Sequence, residues 1–242
     1  MPYLMGGFPD MATSLQIGLA YAANGADLVE LGVPYSDPLA DGPVIHAAGT
    51  AALRAGATID GVLEISEPLS RRLPVVLMCY VNLVLARTPD AFAASAAAAG
   101  ASGLIVPDLP LEESGEIEEA CDAHGIALVP LVGPTTPDER LAVIGARARG
   151  FIYTVSVVGT TGERASGEDG YGPILERVKR HAGVPVAIGF GISTPEQAAT
   201  AASAGADGVI VGTRLVRAAA EADDPASAVG ALVAGLARGL IR

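Results

Sequence analysis

The stretch Asn24-Gly-Ala-Asp-Leu-Val-Glu-Leu31 carries the pattern that decides the fold, because a predicted helix ends at its glycine and an apolar strand begins directly after it. The same pattern recurs at Ala99-Gly-Ala-Ser102 and at Ala204-Gly-Ala-Asp207. Glycine fits the left-handed conformation that commonly ends a helix. This recurrence predicts a chain in which helices and strands alternate.

Eight short apolar runs are predicted as strands, and helical patterns separate them. The predicted strands are residues 3–6, 28–31, 75–80, 103–106, 127–131, 151–155, 186–190 and 208–211. The predicted helices include residues 14–23, 89–99, 111–123, 137–147, 172–181 and 195–204. Eight such units in 242 residues predict an α/β protein, a (β/α)8 TIM barrel that forms a single domain over residues 1–242. A doubly wound sheet ranks second, because no Gly-x-Gly-x-x-Gly follows the first strand.

The composition favours one large globular domain and argues against several classes of protein. Half of the residues are hydrophobic and 17% are charged, which suits a packed core better than a disordered chain. The formal net charge of -12 argues against binding to nucleic acid or to anionic membranes. It does not exclude a small phosphorylated substrate, since backbone N–H groups at a helix N-terminus can hold a phosphate.

The cysteines and the N-terminus predict a cytoplasmic protein. Cys79 and Cys121 lie far apart without metal-type spacing, as expected for inert core thiols in a reducing compartment. The first residues lack the basic and apolar regions of a signal peptide. The longest charge-free stretch, residues 91–107, is rich in alanine and broken by glycines, so no membrane span is predicted.

Two carboxylates in the segment Glu30-Leu-Gly-Val-Pro-Tyr-Ser-Asp-Pro-Leu-Ala-Asp-Gly-Pro43 are the predicted acid/base pair. Glu30 lies in an apolar strand, where burial should raise its pKa and let it hold a proton near neutral pH. Asp41 lies in the long loop that follows, in which prolines including Pro43 are expected to prevent a helix. Either carboxylate alone would be read as a salt-bridged or turn residue, but the pair lies at the catalytic end of a barrel and indicates chemistry.

Three glycine-bearing loops predict a phosphate site. Gly159-Thr-Thr-Gly162, Gly189-Phe-Gly-Ile-Ser-Thr194 and Gly212-Thr213 follow the sixth, seventh and eighth predicted strands. Each glycine alone indicates only a turn. Together they lie where many TIM barrels hold a phosphate, and a helix beginning at Thr213 would point its N–H groups at the anion.

The loop 157–171 is rich in glycine and polar residues, a composition suited to a lid that closes over a substrate, with a disordered surface loop as the alternative. Thr161 in this loop would orient Asp41 when the lid closes. Tyr153, on the strand before it, faces either the pocket or the core, and the sequence does not separate these two positions.

Other catalytic classes lack candidates. His46, His124 and His181 all fall on helical segments, so neither a Ser-His-Asp arrangement nor a metal site is predicted. The only lysine, Lys179, lies on a helix and not at a strand end, which argues against a Schiff base. A carbon–carbon cleavage here would have to proceed by acid/base chemistry alone.

The chain resembles the tryptophan synthase alpha subunit family from about Pro2 to its last helix. The segment from Glu30 to Pro43 is the longest and most specific match. Further matches are Met78-Cys-Tyr-Val-Asn-Leu83, Pro107-Asp-Leu-Pro-Leu-Glu-Glu113, Tyr153 through Gly162, and Gly189-Phe-Gly-Ile-Ser-Thr-Pro-Glu-Gln197.

This resemblance implies the reversible retro-aldol cleavage of indole-3-glycerol phosphate to indole and glyceraldehyde 3-phosphate in tryptophan biosynthesis. Glu30 would protonate indole C3 and assist proton removal from the glycerol hydroxyl, and Asp41 would hydrogen-bond the indole N–H. The implied phosphate ligands are the backbones of Gly162, Gly191, Gly212 and Thr213. The implied indole-binding residues are Tyr3, Met78, Tyr80, Ile105, Leu131 and Tyr153.

The resemblance also implies a beta subunit that carries pyridoxal phosphate, docks on residues 34–37 and 107–112 in an alpha2beta2 complex, and receives the indole through a tunnel. This chain would then need no cofactor and no metal of its own. One departure is that the chain begins almost directly at the first strand, without the N-terminal helix that is usual in the family, so we expect an open barrel floor and reduced stability. Val157 and Val158 also replace polar lid residues that are frequent in the family.

Two other functions stay open at this point. One is a phosphate-binding barrel that acts on a sugar or prenyl phosphate, which would share the late glycine loops but not the segment from Glu30 to Pro43. The other is a barrel that activates a beta partner while its own turnover is negligible.

Overall fold

Short parallel strands alternate with helices throughout the computed structural model, which describes residues 1–156, 170–189 and 191–240. The strands are β1 Tyr3–Met5, β2 Val29–Gly32, β3 Val75–Met78, β4 Ala101–Ile105, β5 Ala127–Leu128, β6 Leu131–Val132, β7 Ile152–Val155, β8 Val186–Gly189 and β9 Gly208–Val209. The helices are α1 Met11–Ala23, α2 Pro43–Arg54, α3 Ile59–Ser70, α4 Val81–Leu85, α5 Pro89–Ala98, α6 Gly115–Ala123, α7 Asp138–Arg147, α8 Gly172–Lys179, α9 Pro195–Ser203, α10 Thr213–Glu221 and α11 Pro225–Leu240.

The glycines of the repeated motif end their helices as predicted. Gly25, Gly100 and Gly205 have φ values of 95°, 76° and 102°, and each lies just after a helix. This left-handed conformation is open to glycine at little cost. Each helix therefore stops at the point where the chain turns back into the next strand.

Hydrogen bonds close the strands into a ring. β1 to β5 form one parallel sheet and β6 to β9 form another. On one side the Tyr3 N–H donates to the Val211 carbonyl at 2.9 Å, and on the other the Tyr153 N–H donates to the Pro130 carbonyl at 2.9 Å. The expected α/β fold is confirmed, and the strand order fits a (β/α)8 barrel in which β5 and β6 are two halves of the fifth strand, interrupted at Pro130, which has no N–H to donate.

Alternation along each strand sorts side chains between the barrel interior and the helix layer. In β2, Val29 and Leu31 join the core under the helices, so Glu30 between them points into the barrel. Inward side chains from β3 onward form an apolar interior cluster, whereas Tyr3 and Met5 of β1 belong to a separate cluster. The buried members of the interior cluster are Val76, Ile105, Val129, Tyr153, Ala187 and Ile210.

One expectation about the loop after β2 is wrong. Pro43 does not prevent a helix there but occupies the first position of α2, with Gly42 as the N-cap. Proline suits this position because its missing N–H would have no partner inside the helix and its φ is already helical. α3 and α4 are also absent from the predicted set.

The N-terminal end of the barrel carries a cavity of about 800 Å³ that includes Leu28, Val76, Phe151 and Ala187 in its lining. This is the floor that we expect to be open, and its effect on stability stays a prediction. Lys179 lies at this end and forms an ion pair with Asp207 at 2.8 Å. No helix in residues 1–156, 170–189 and 191–240 has the length and hydropathy needed to cross a membrane.

A methyl group at Gly189 should destabilise the barrel, because this Cβ would lie 2.6 Å from the Tyr153 hydroxyl oxygen in the barrel interior. We expect Gly189→Ala to lower the free energy of unfolding by about 1–3 kcal/mol in chemical denaturation. Gly183→Ala, with no heavy atom within 4 Å of the added Cβ, is the matched control. Tyr153→Phe should restore part of the loss, and no recovery in the double variant would contradict this packing.

Candidate active site

A cavity opens at the C-terminal ends of the strands, on the face where TIM barrels carry their active sites. Its wall combines two carboxylates with an apolar lining and a rim of small residues. The lining residues are Tyr3, Glu30, Ala40, Asp41, Ile45, Met78, Ile105, Pro107, Leu131, Tyr153, Gly191, Ile192, Ile210, Gly212 and Thr213.

Glu30 lies on the inner wall of the barrel and is only 4% exposed. Burial raises its pKa to about 8, because a carboxylate loses its hydration there. The α-amino group of Met1 opposes this shift, and the nearby charge of Asp41 adds to it. The Glu30 carboxyl is therefore mainly protonated at neutral pH, in agreement with the prediction from its apolar strand.

Asp41 reaches the same cavity from the loop just before α2. Partial burial raises its pKa, while a hydrogen bond from the Tyr80 hydroxyl at 2.9 Å and the neighbouring His46 favour its charged form. The negative charge of Asp41 is therefore favoured by two side chains, Tyr80 and His46, which lie outside the strands. Burial raises the pKa of both carboxyls that line the cavity, and Asp41 in addition accepts a hydrogen bond that favours its charged form.

The aromatic and aliphatic residues predicted for indole binding are brought together, with one exception. Tyr3, Met78, Ile105, Leu131 and Tyr153 line the cavity, and Tyr153 also packs into the interior cluster. The exception is Tyr80, which is only 1% exposed and is absent from the lining; its hydroxyl meets Asp41.

Three isoleucines of the lining were not predicted. Ile210 lies beyond the last strand and continues its inward alternation, so the period of two could have found it. Ile192 lies inside the quoted glycine loop. Ile45 lies on α2 next to His46, whose helical segment was predicted, but no sequence signal pointed to its place in the cavity.

Part of the predicted phosphate site lies on the rim of the cavity. Gly191, Gly212 and Thr213 line it, whereas Gly162 and the lid residue Thr161 lie outside the described residues. α10 begins at Thr213 with Gly212 as its N-cap, and no side chain of the described residues caps its first N–H groups. Its neighbour α9, by contrast, has a capping box made by Thr194 and Gln197.

The remaining titratable candidates do not enter the lining. His46 lies on α2, and His124 at the end of α6 contacts Asp90 at 2.9 Å. Cys79 and Cys121 are buried, and burial raises the pKa of both thiols, that of Cys121 to about 12. Across the described ranges 1–156, 170–189 and 191–240, no three His, Cys, Asp or Glu side chains are placed to hold a metal ion.

The sequence matches a protein family described as tryptophan synthase alpha chain over residues 1–238. The chain belongs to the tryptophan synthase alpha chain family. The alpha chain of Prochlorococcus marinus strain MIT 9313 is 49% identical over 219 residues, which are 90% of this chain and 80% of that one. The alpha chain of Synechococcus sp. strain CC9902 is 50% identical over 224 residues, covering 92% and 83% of the two chains.

Solved structures of the tryptophan synthase family share this fold. A chain of Mycobacterium tuberculosis tryptophan synthase superimposes with a TM-score of 0.91 at 41% identity, covering 99% of this chain and 91% of that one. Membership confirms the expected family and function: the protein acts in tryptophan biosynthesis as a lyase that cleaves indole-3-glycerol phosphate. It also implies a beta subunit as partner.

Proposed function

We propose that Glu30 and Asp41 carry out the cleavage of indole-3-glycerol phosphate. The observation that supports this assignment is the pair itself: two carboxyls line one cavity, one mainly protonated and the other supported in its charged form. A retro-aldol cleavage of this substrate needs a proton donor at indole C3, a base at the glycerol hydroxyl and a negative charge near the indole nitrogen.

Glu30 serves as both donor and base in this proposal. In its protonated form it gives a proton to indole C3, and the resulting carboxylate then accepts the proton of the glycerol hydroxyl next to the bond that breaks. The electron pair of that bond returns to the indole ring, which leaves as indole, while the former hydroxyl becomes the aldehyde of glyceraldehyde 3-phosphate. Glu30 ends the cycle protonated, as it began.

Asp41 stabilises the positive charge that develops on the indole nitrogen when C3 is protonated. Its carboxylate accepts a hydrogen bond from the indole N–H, and the apolar wall around it strengthens this electrostatic interaction. The indole ring lies among Tyr3, Met78, Ile105 and the other apolar lining residues. Glu30 thus exchanges protons with indole C3 and the glycerol hydroxyl, and Asp41 stabilises the charge on the indole nitrogen.

The phosphate binds at the uncapped start of α10. Backbone N–H groups at Gly212 and Thr213 donate to the phosphate, with Gly191 beside them on the rim, and the helix dipole favours the negative charge. Thr161 and Gly162 belong to the same proposal as lid contacts. Binding through the backbone explains how a chain with a net charge of -12 holds an anion.

The beta subunit is proposed to dock around residues 34–37 and 107–112 in an alpha2beta2 complex, to carry the pyridoxal phosphate and to receive the indole. Exposed Ser36, Asp37 and Glu112 support an accessible surface there, and Leu39 beside them is 77% exposed. The alpha chain is proposed to act as a single barrel domain over residues 1–242, in the cytoplasm, without a cofactor of its own.

Release of indole from indole-3-glycerol phosphate by the purified chain, alone and with a tryptophan synthase beta subunit, tests the two carboxylates. We expect kcat to fall about 10²- to 10⁴-fold in Glu30→Gln and by about 10²-fold or more in Asp41→Asn, with beta binding retained. Because Glu30 donates first, wild-type kcat/KM should fall as the pH rises through about 8.

Two outcomes would contradict this assignment. If the variants cleave at the wild-type rate, the two carboxylates do not carry the chemistry. If neither the chain alone nor the complex releases indole, the barrel either activates the beta subunit without turnover of its own or acts on another phosphorylated substrate.

Gly212→Asp tests the phosphate site separately. The new Cβ has only ordinary contacts, the nearest 3.6 Å away at Tyr3, and aspartate is a favourable helix cap, so stability should be kept. The new carboxylate would occupy the phosphate position and repel the phosphate of the substrate, so KM should rise at least about tenfold. Gly115→Asp at the exposed start of α6 is the matched control, and an equal rise in KM there would argue against the site.

A further inference from the structure

We propose that Tyr80 is a positioning residue for Asp41, and that its hydroxyl fixes both the place and the charge of that carboxylate. The inference rests on the proposed role of Asp41 in the cleavage. It assigns Tyr80 a task different from the indole contact that the family resemblance implies. Its basis is a set of contacts that join the ends of β3 and of the loop after β2.

The Tyr80 hydroxyl makes two hydrogen bonds to consecutive residues of this loop. It donates to Asp41 Oδ1 at 2.9 Å and accepts from the Ala40 N–H at 3.0 Å. One oxygen atom thus holds both the carboxylate and the backbone that carries it. Two bonds from a single rigid side chain leave Asp41 little freedom to rotate away from the cavity.

The Tyr80 ring has a stacking partner and lies next to a residue whose backbone is held by a hydrogen bond. It is almost completely buried, and it stacks on Tyr35 with ring centroids 5.2 Å apart and planes inclined by 26°. The Tyr35 hydroxyl accepts a hydrogen bond from Asn82 Nδ2 at 2.8 Å. The Val81 N–H directly after Tyr80 donates to Asp108 Oδ1 at 2.9 Å, which fixes the start of α4.

The hydroxyl also affects the ionisation of Asp41. Donation from Tyr80 favours the carboxylate and lowers its pKa, and His46 on α2 acts in the same direction. Among the described residues, Glu30 on β2 and Tyr3 on β1 also interact with Asp41, whose charge raises the pKa of both. Removal of the hydroxyl should therefore raise the pKa of Asp41.

Tyr80→Phe removes the hydroxyl and keeps the ring and its stacking on Tyr35. We expect kcat for indole release to fall about 10- to 100-fold, as for other small misplacements of a catalytic group, with a much smaller change in KM. The acidic limb of the kcat/KM profile, which we assign to the ionisation of Asp41, should move to higher pH because the pKa of Asp41 rises. Tyr21→Phe is the matched control, since Tyr21 is equally buried and its hydroxyl donates to the Tyr3 carbonyl at 3.1 Å.

The two variants separate a positioning role from a purely structural one. Thermal unfolding should shift by similar amounts in both, whereas the acidic limb should move only in Tyr80→Phe. An unmoved limb together with a wild-type kcat in Tyr80→Phe would overturn the inference, as would equal losses of kcat in both variants. If Asp41→Asn cleaves at the wild-type rate, both the catalytic role of Asp41 and the positioning role of Tyr80 fail. If Asp41→Asn is impaired but Tyr80→Phe cleaves at the wild-type rate, only the positioning role of Tyr80 fails.

Discussion

The burial of one carboxyl inside a ring of parallel strands is the constraint on which the site depends. Glu30 points inward because Val29 and Leu31 on either side of it pack under the helices. A slip of β2 by one residue would expose two apolar side chains to the barrel interior and move Glu30 out of the cavity, so the register and the position of the acid are set together. The same burial raises the pKa of Glu30 to about 8.

In the proposed mechanism a second carboxyl, in a different environment, complements the buried acid. Asp41 comes from a loop and not from the barrel wall, and it has a tyrosine hydroxyl as hydrogen-bond donor. In the proposed site the phosphate needs neither carboxyl nor a basic side chain, since the start of α10 offers backbone N–H groups. The proposed site thus divides proton transfer, charge stabilisation and anion binding among three structural elements that the closed barrel brings to one face.

Sequence patterns predicted the features that follow from local periodicity. The apolar runs located all eight barrel strands, the repeated glycines marked helix ends, and the apolar neighbours of Glu30 indicated its burial. They failed where one residue type has two structural uses. Pro43 was taken as a residue that prevents a helix but begins one, and Ile45 near the start of that helix was missed as a lining residue. The split of the fifth strand at Pro130 likewise depends on a ladder hydrogen bond that proline cannot make.

The role of Tyr80 shows a different limit of the sequence. The family resemblance implies an indole contact for Tyr80, but the side chain turns toward the neighbouring loop and places its hydroxyl on Ala40 and Asp41. A side-chain direction of this kind depends on the packing of Tyr35 and the cap from Asp108, which are distant in sequence. Such contacts follow from the closed barrel and not from any local pattern.

The protonation state of Glu30 in the free enzyme tests the account most directly. It can be followed by infrared difference spectroscopy between the wild type and Glu30→Gln over a pH titration. The account predicts a carboxylic acid band that is present at pH 7 and disappears with a midpoint near pH 8. A midpoint near 4, the ordinary value for glutamate, would contradict it.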